Sequence, residues 1–105
     1  MAPQNNDETV VDRLYRVIEQ RRAERPAGSY TTKLFDDGRA RIAQKVGEEA
    51  VETVIAAMAD NKAEAVTESA DLIYHLLVLW SDLGIDPDEI WRELEGREKH
   101  GRKSD

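Results

Sequence analysis

Apolar residues recur at helical spacing along almost the whole chain. Val10, Val11, Leu14, Val17 and Ile18 form one stripe, which predicts a helix from about Glu8 to Glu24 with Asp7 placed to cap it. Pro26 and Gly28 end that helix, and Ser29 can cap a short turn running through Phe35 before Asp36-Asp37-Gly38 breaks the chain again. Between Arg39 and Ala59 there is no proline and a single glycine, Gly47, while Ile42, Val46, Ala50, Val54, Ala57 and Met58 mark one broad apolar side. This is the second long helix. A glycine inside a helix costs about 1 kcal/mol relative to alanine, so Gly47 reads as a place of close helix packing. After the short break at Asp60-Asn61, residues Lys62 to Leu83 form a third long helix ended by Gly84. Asp86-Pro87-Asp88-Glu89 then supplies an N-cap, a proline in the first helical position and an acid at the third, and the helix it starts carries Ile90, Trp91 and Leu94.

No stretch alternates with period two for long enough to make a strand, so the expected fold is all-α, a bundle of four to five helices. Residues 1–100 read as one domain, and residues 101–105 as a mobile tail with nothing apolar to anchor it. The third long helix is apolar nearly all round between Ala70 and Trp80, more than so few helices can cover. A second copy of the chain solves this, and a homodimer is expected.

Composition narrows the function. With 105 residues and 35% of them charged, the chain can build one core under a heavily charged surface. It has no cysteine, so disulfides and thiolate metal sites are excluded and any metal must be held by oxygen or imidazole. A net charge of −7 repels a nucleic-acid backbone, so nucleic-acid binding is not expected. The run from Ala70 to Trp80 is too short for a membrane span, and the Met-Ala-Pro-Gln start does not resemble a secretory signal, which together give a cytoplasmic expectation.

The chemistry lies in the acids of the two long central helices. Glu48-Glu49-x-x-Glu52 is on one and Glu68-x-x-Asp71 on the other, and residues three apart on a helix face the same way. The short link between these helices predicts an antiparallel pair, which brings Glu49, Glu52, Glu68 and Asp71 level. Carboxylates gathered in partly dry surroundings repel one another and require neutralisation. Lys45, one turn before Glu49, can offset one charge. A hard divalent cation with oxygen ligands offsets more, and magnesium with open positions for water and phosphate suits the set. Either acidic pair alone would read as a solvated helix face. Two pairs in matching register make a metal-dependent phosphohydrolase the better reading.

Several residues can support such a site. Ser29, Thr31 and Thr32 offer hydroxyls at a helix start, and Lys33 and Lys45 offer point cations for phosphate oxygens, although capping and surface ion pairs account for the same residue types. The expected substrate-binding residues are Ser29, Thr32, Lys33 and Lys45. Glu48 reads as an added ligand, as a base for the attacking water, or as solvated surface. Its neighbours Glu49 and Glu52 complete the candidate catalytic set. His75, one turn after Asp71, reads either as a group orienting Glu68 or as a satisfied core histidine.

These motifs resemble those of the all-α nucleoside triphosphate pyrophosphatases, a superfamily that includes the MazG-like enzymes and dimeric dUTPases. Its metal motif of ExxE followed by ExxD is matched by Glu49 to Glu52 and Glu68 to Asp71. The segments Ser29 to Leu34, Gln44 to Glu52 and Glu68 to Leu77 are similar to the phosphoribosyl-ATP pyrophosphohydrolase family, over roughly residues 10 to 95. The resemblance implies hydrolysis of phosphoribosyl-ATP to phosphoribosyl-AMP and pyrophosphate, the second step of histidine biosynthesis, with magnesium and as a dimer. The rival expectations are a MazG-like enzyme clearing free nucleoside triphosphates and a non-catalytic helical dimerisation module.

Overall fold

A computed structural model describes residues 8–101 of the chain. It contains five helices, α1 (Val10–Glu24), α2 (Tyr30–Asp37), α3 (Arg39–Met58), α4 (Lys62–Leu83) and α5 (Pro87–His100). The fold is all-α, with no strand among the described residues.

Each boundary has a local cause. Thr9 caps α1, its hydroxyl accepting from the Asp12 N–H while the Asp12 carboxylate accepts from the Thr9 N–H. The alternative cap Asp7 lies outside the described residues. Ser29 caps α2 by accepting from the Thr32 N–H. Gly38, at φ +98°, then lets the chain turn directly into α3. Between α3 and α4 the chain reverses at Asp60, which takes a left-handed φ of +57°, and Asn61 caps α4. Asp86 and Glu89 form the expected capping box around Pro87. Charge then carries α5 further than its apolar residues do: Arg97, Lys99 and His100 complement the negative end of the helix dipole, and the helix reaches His100. Beyond Gly101 the expected tail lies outside the described residues.

The two long helices α3 and α4 form an antiparallel hairpin packed along most of its length. One end of this hairpin is covered. There Ile18 of α1, Leu34 and Phe35 of α2, Ile42 of α3 and Leu77 and Val78 of α4 make the buried core, flanked by Leu14, Tyr15, Leu79 and Trp80. Trp91 of α5 meets Trp80 edge to face at 6.1 Å. The other end projects with little cover: Ala56 is buried there, while Val51, Val54, Ile55, Met58 and Val66 are open. The uncovered apolar surface therefore lies on α3 more than on the expected stretch of α4, because α1 and α2 already shelter much of Ala70 to Trp80. Gly47 is exposed, and a methyl group added to it would meet nothing within 4 Å, so it is not a packing glycine.

Candidate active site

The acids lie between the covered and the projecting ends of the hairpin. Glu49, Glu68 and Asp71 each offer a carboxylate oxygen within 4.8 Å of the other two. The i, i+3 spacing on α4 aims Glu68 and Asp71 the same way, and the antiparallel pairing puts Glu49 of α3 opposite them. Glu49 is 6% exposed. One oxygen on Glu49 and one on Glu68, both Oε1, are buried without a hydrogen-bond partner. A buried carboxylate oxygen with no donor is costly, and two side by side repel.

Glu52 is not one of these three, but its carboxyl neighbours that of Glu68. It is exposed and lines a groove of about 230 Å³ with Ile55, Ala56, Ala59, Asn61, Glu64 and Glu68, so it reaches the site from the side of Glu68. Glu64 is an acid that the motif reading missed, although it precedes Glu68 by one helical turn and the i, i+4 relation was legible. Burial first, and then the neighbouring carboxyls of Glu52, Glu64 and Glu49, push the Glu68 pKa up to about 8. Protein groups alone thus leave this site short of positive charge.

Lys45 is the cation within reach. Its Nζ lies 3.3 Å from Glu48 Oε1 and 3.6 Å from Glu49 Oε2. Burial works to lower the Lys45 pKa, but the hydrogen bond to Glu48 and the charges of Glu48 and Glu49 outweigh it, so the ammonium is raised above its ordinary value. Glu48 points to this lysine. Gln44 Nε2 donates to it at 2.9 Å, and Gln44 first and Lys45 second hold its carboxyl below the usual range. A carboxylate held this way is a weak base, which favours a role in holding Lys45 over one in activating water.

The hydroxyl-bearing α2 start forms a separate pocket of about 550 Å³, lined by Ser29, Tyr30, Thr32, Lys33 and the Arg25 to Gly28 turn. Ser29, Thr32 and Lys33 thus share one cavity. Their side chains already have partners: Ser29 Oγ serves as the cap, Thr32 Oγ1 donates to the Arg21 carbonyl at 3.4 Å, and Lys33 Nζ pairs with Asp37 at 3.3 Å. Lys33 does not join the carboxylates, whereas Lys45 does.

His75 is not bonded to Glu68, the partner that sequence spacing suggested. Its Nδ1 lies 2.7 Å from the Asp71 main-chain carbonyl and its Nε2 2.7 Å from the Tyr30 hydroxyl. Thr31, on the next position of α2, hydrogen-bonds the Tyr74 hydroxyl. The Tyr30–His75 and Thr31–Tyr74 partners are more than 40 residues apart in the chain, and no local periodicity could have revealed them.

A charge-deficient carboxylate triad on an all-helical hairpin, with Glu49 buried, Glu68 half-buried and Asp71 exposed, fits the helical pyrophosphohydrolase class. The family model described as phosphoribosyl-ATP pyrophosphohydrolase matches residues 11–98. The chain belongs to that family. A phosphoribosyl-ATP pyrophosphatase of Azospirillum brasilense is 50% identical over 111 residues, covering 99% of this chain and 100% of that protein. One from Paramagnetospirillum magneticum is 55% identical over 87% of this chain and 84% of its own length, and one from Saccharolobus islandicus is 54% identical over 86% and 96%.

Proposed function

We propose that the protein hydrolyses phosphoribosyl-ATP to phosphoribosyl-AMP and pyrophosphate in histidine biosynthesis, using magnesium held by its central acids. Family membership carries the substrate. The observation that carries the cofactor is the pair of buried, partnerless oxygens on Glu49 and Glu68. An all-oxygen donor set fits magnesium, and the three carboxylate oxygens, within 4.8 Å of one another, lie close enough to share one ion. Glu49, Glu68 and Asp71 would hold the ion, with Glu52 closing on it from the adjacent groove. Bound there, magnesium would polarise a phosphoryl oxygen and make a coordinated water easier to deprotonate.

The remaining steps belong to the chain. Water adds to phosphorus at the α–β anhydride, the P–O bond to pyrophosphate breaks, and one proton is released. Glu48 and Gln44 keep Lys45 at the edge of the acids, where its ammonium can turn from Glu49 to a phosphoryl oxygen and offset the charge that builds there. The α2 pocket offers the Ser29, Thr32 and Lys33 side chains to the rest of the nucleotide. No helix among the described residues is long and apolar enough to cross a membrane; the biosynthetic role is what supports a cytoplasmic location.

We further propose that the working unit is a homodimer. Ile55, Met58 and Val66 are 61%, 82% and 70% exposed on the projecting end of the hairpin, and a second copy is the partner that covers an apolar face next to the acids. The test of function is pyrophosphate release from phosphoribosyl-ATP, measured with magnesium and again after chelation. Activity that requires magnesium and falls by about a hundredfold or more in Glu49→Gln is expected. Equal or faster turnover of the common deoxynucleoside triphosphates would overturn the substrate, and undiminished activity in chelator would overturn the metal.

A further inference from the structure

Tyr30 is the first residue of α2, and His75 lies one turn beyond Asp71 on α4. The two are joined by the 2.7 Å contact between the Tyr30 hydroxyl and His75 Nε2. His75 also lies 2.7 Å, through Nδ1, from the main-chain carbonyl of Asp71. A carbonyl oxygen only accepts, so Nδ1 carries the hydrogen and donates it. In the neutral ring Nε2 is then an acceptor, and Tyr30 donates to it. The His75 ring is 6% exposed and is held edge-on between two aromatic rings, Tyr30 and Tyr74, each 5.8 Å away between centroids. Beside it, Thr31 and Tyr74 make a second hydrogen bond between the same two helices.

The first turn of α2 is therefore stitched to α4 at two successive residues, next to the backbone that carries Asp71. That turn also forms the wall of the cavity containing Ser29, Thr32 and Lys33. On its other side Tyr30 is close enough to Lys45 and Glu49 for their charges to act on its hydroxyl, which burial chiefly holds above its ordinary pKa. Tyr30 thus stands where the nucleotide pocket meets the carboxylates. The core residues Leu34 and Phe35 anchor the far end of α2, so this end depends on its polar contacts for register.

We infer that Tyr30 and His75 are positioning residues, a hydrogen-bonded pair that sets the α2 nucleotide pocket in register with the acids of α3 and α4. The inference rests on the hydrolytic reading above. A bound triphosphate has to span both places, and a misplacement of about 1 Å between reacting groups costs on the order of 100-fold in rate. Tyr30→Phe removes only the hydroxyl from a half-exposed side chain, so the fold should survive with a small change in Tm. The expected result is a fall of about 10- to 100-fold in kcat for phosphoribosyl-ATP with an unchanged magnesium midpoint for thermal stabilisation. His75→Phe should do the same, the double variant should lose no more than the worse single one, and His75→Gln, which can place an acceptor near Nε2, should recover part of the loss. If His75→Phe does not fold, Tyr30→Phe and His75→Gln carry the test.

A Tyr30→Phe enzyme with kcat within twofold of wild type overturns the inference. So does a double variant whose losses multiply, or a magnesium midpoint that shifts in step with kcat. An inactive wild-type protein overturns the hydrolytic reading and this inference together, whereas an active wild type that is silenced by Glu49→Gln and indifferent to Tyr30→Phe overturns this inference alone.

Discussion

Glu68 shows how far a side chain can be driven by its neighbours. Folded and metal-free, it holds its proton up to about pH 8, mainly through burial and then through Glu52, Glu64 and Glu49. In the unfolded chain the same carboxyl titrates near its ordinary value of 4.5. Below that value both states are protonated and Glu68 costs nothing. Between 4.5 and about 8 the folded state keeps a proton that the unfolded chain has lost, so its contribution makes the fold less stable as pH rises, up to the full penalty above pH 8. Thermal melts in chelator should therefore show wild type losing more Tm between pH 6 and pH 8 than Glu68→Gln, with the variant the more stable of the two at pH 8. Saturating magnesium should shrink the difference, because a bound cation favours the ionised carboxylates. Parallel melting curves for the two proteins in chelator would mean that the acids do not crowd one another as described. The acid pairs themselves were legible from their spacing of three. What surrounds Glu68 was only partly so, since Glu64 announces itself along the helix while the burial of Glu49 depends on packing across the hairpin.

At the scale of elements, caps and breakers written in the sequence account for nearly every boundary. Ser29, Asn61, Gly84 and the Asp86 box act through bonds to residues within one turn, and such short-range chemistry is readable in advance. Gly47 was misread because a glycine in a helix has two explanations, close approach of a neighbour or tolerance of a cost, and only the packed structure separates them. Its surroundings are open, so Gly47→Ala should stabilise the protein by about 1 kcal/mol in urea denaturation, through helix propensity and reduced freedom of the unfolded chain. A loss of stability instead would show that a second protein surface lies against that face of α3.

At the scale of the molecule, the projecting end of the hairpin is the feature that a single chain leaves unresolved. Val51, Val54, Ile55 and Met58 make one stripe along α3, with Val66 on α4, and no other helix among the described residues covers them. Sedimentation at micromolar concentration should find a dimer, and Ile55→Glu should convert it to monomer by placing a charge in the apolar seam. A wild-type monomer under those conditions would remove the dimer from the functional reading. Because the acids sit next to this face, the monomeric variant should also lose activity.

Periodicity, caps and the register of two acidic pairs were enough to specify an all-helical chain, the long helices and the hairpin that carries Glu49, Glu68 and Asp71, whereas the segment read as a short turn from Ser29 to Phe35 is the helix α2 and extends to Asp37. The reach of Lys45 to Glu48 and Glu49 was open to the same reasoning. Tertiary structure alone decided that His75 serves Tyr30 and not Glu68, that Lys33 stays on Asp37, that Glu52 lines a groove shared with Glu68, and that the exposed apolar face is on α3. These outcomes depend on how α1 and α2 drape over one end of the hairpin. That choice sums many weak contacts between residues distant in the chain, and no short pattern encodes it.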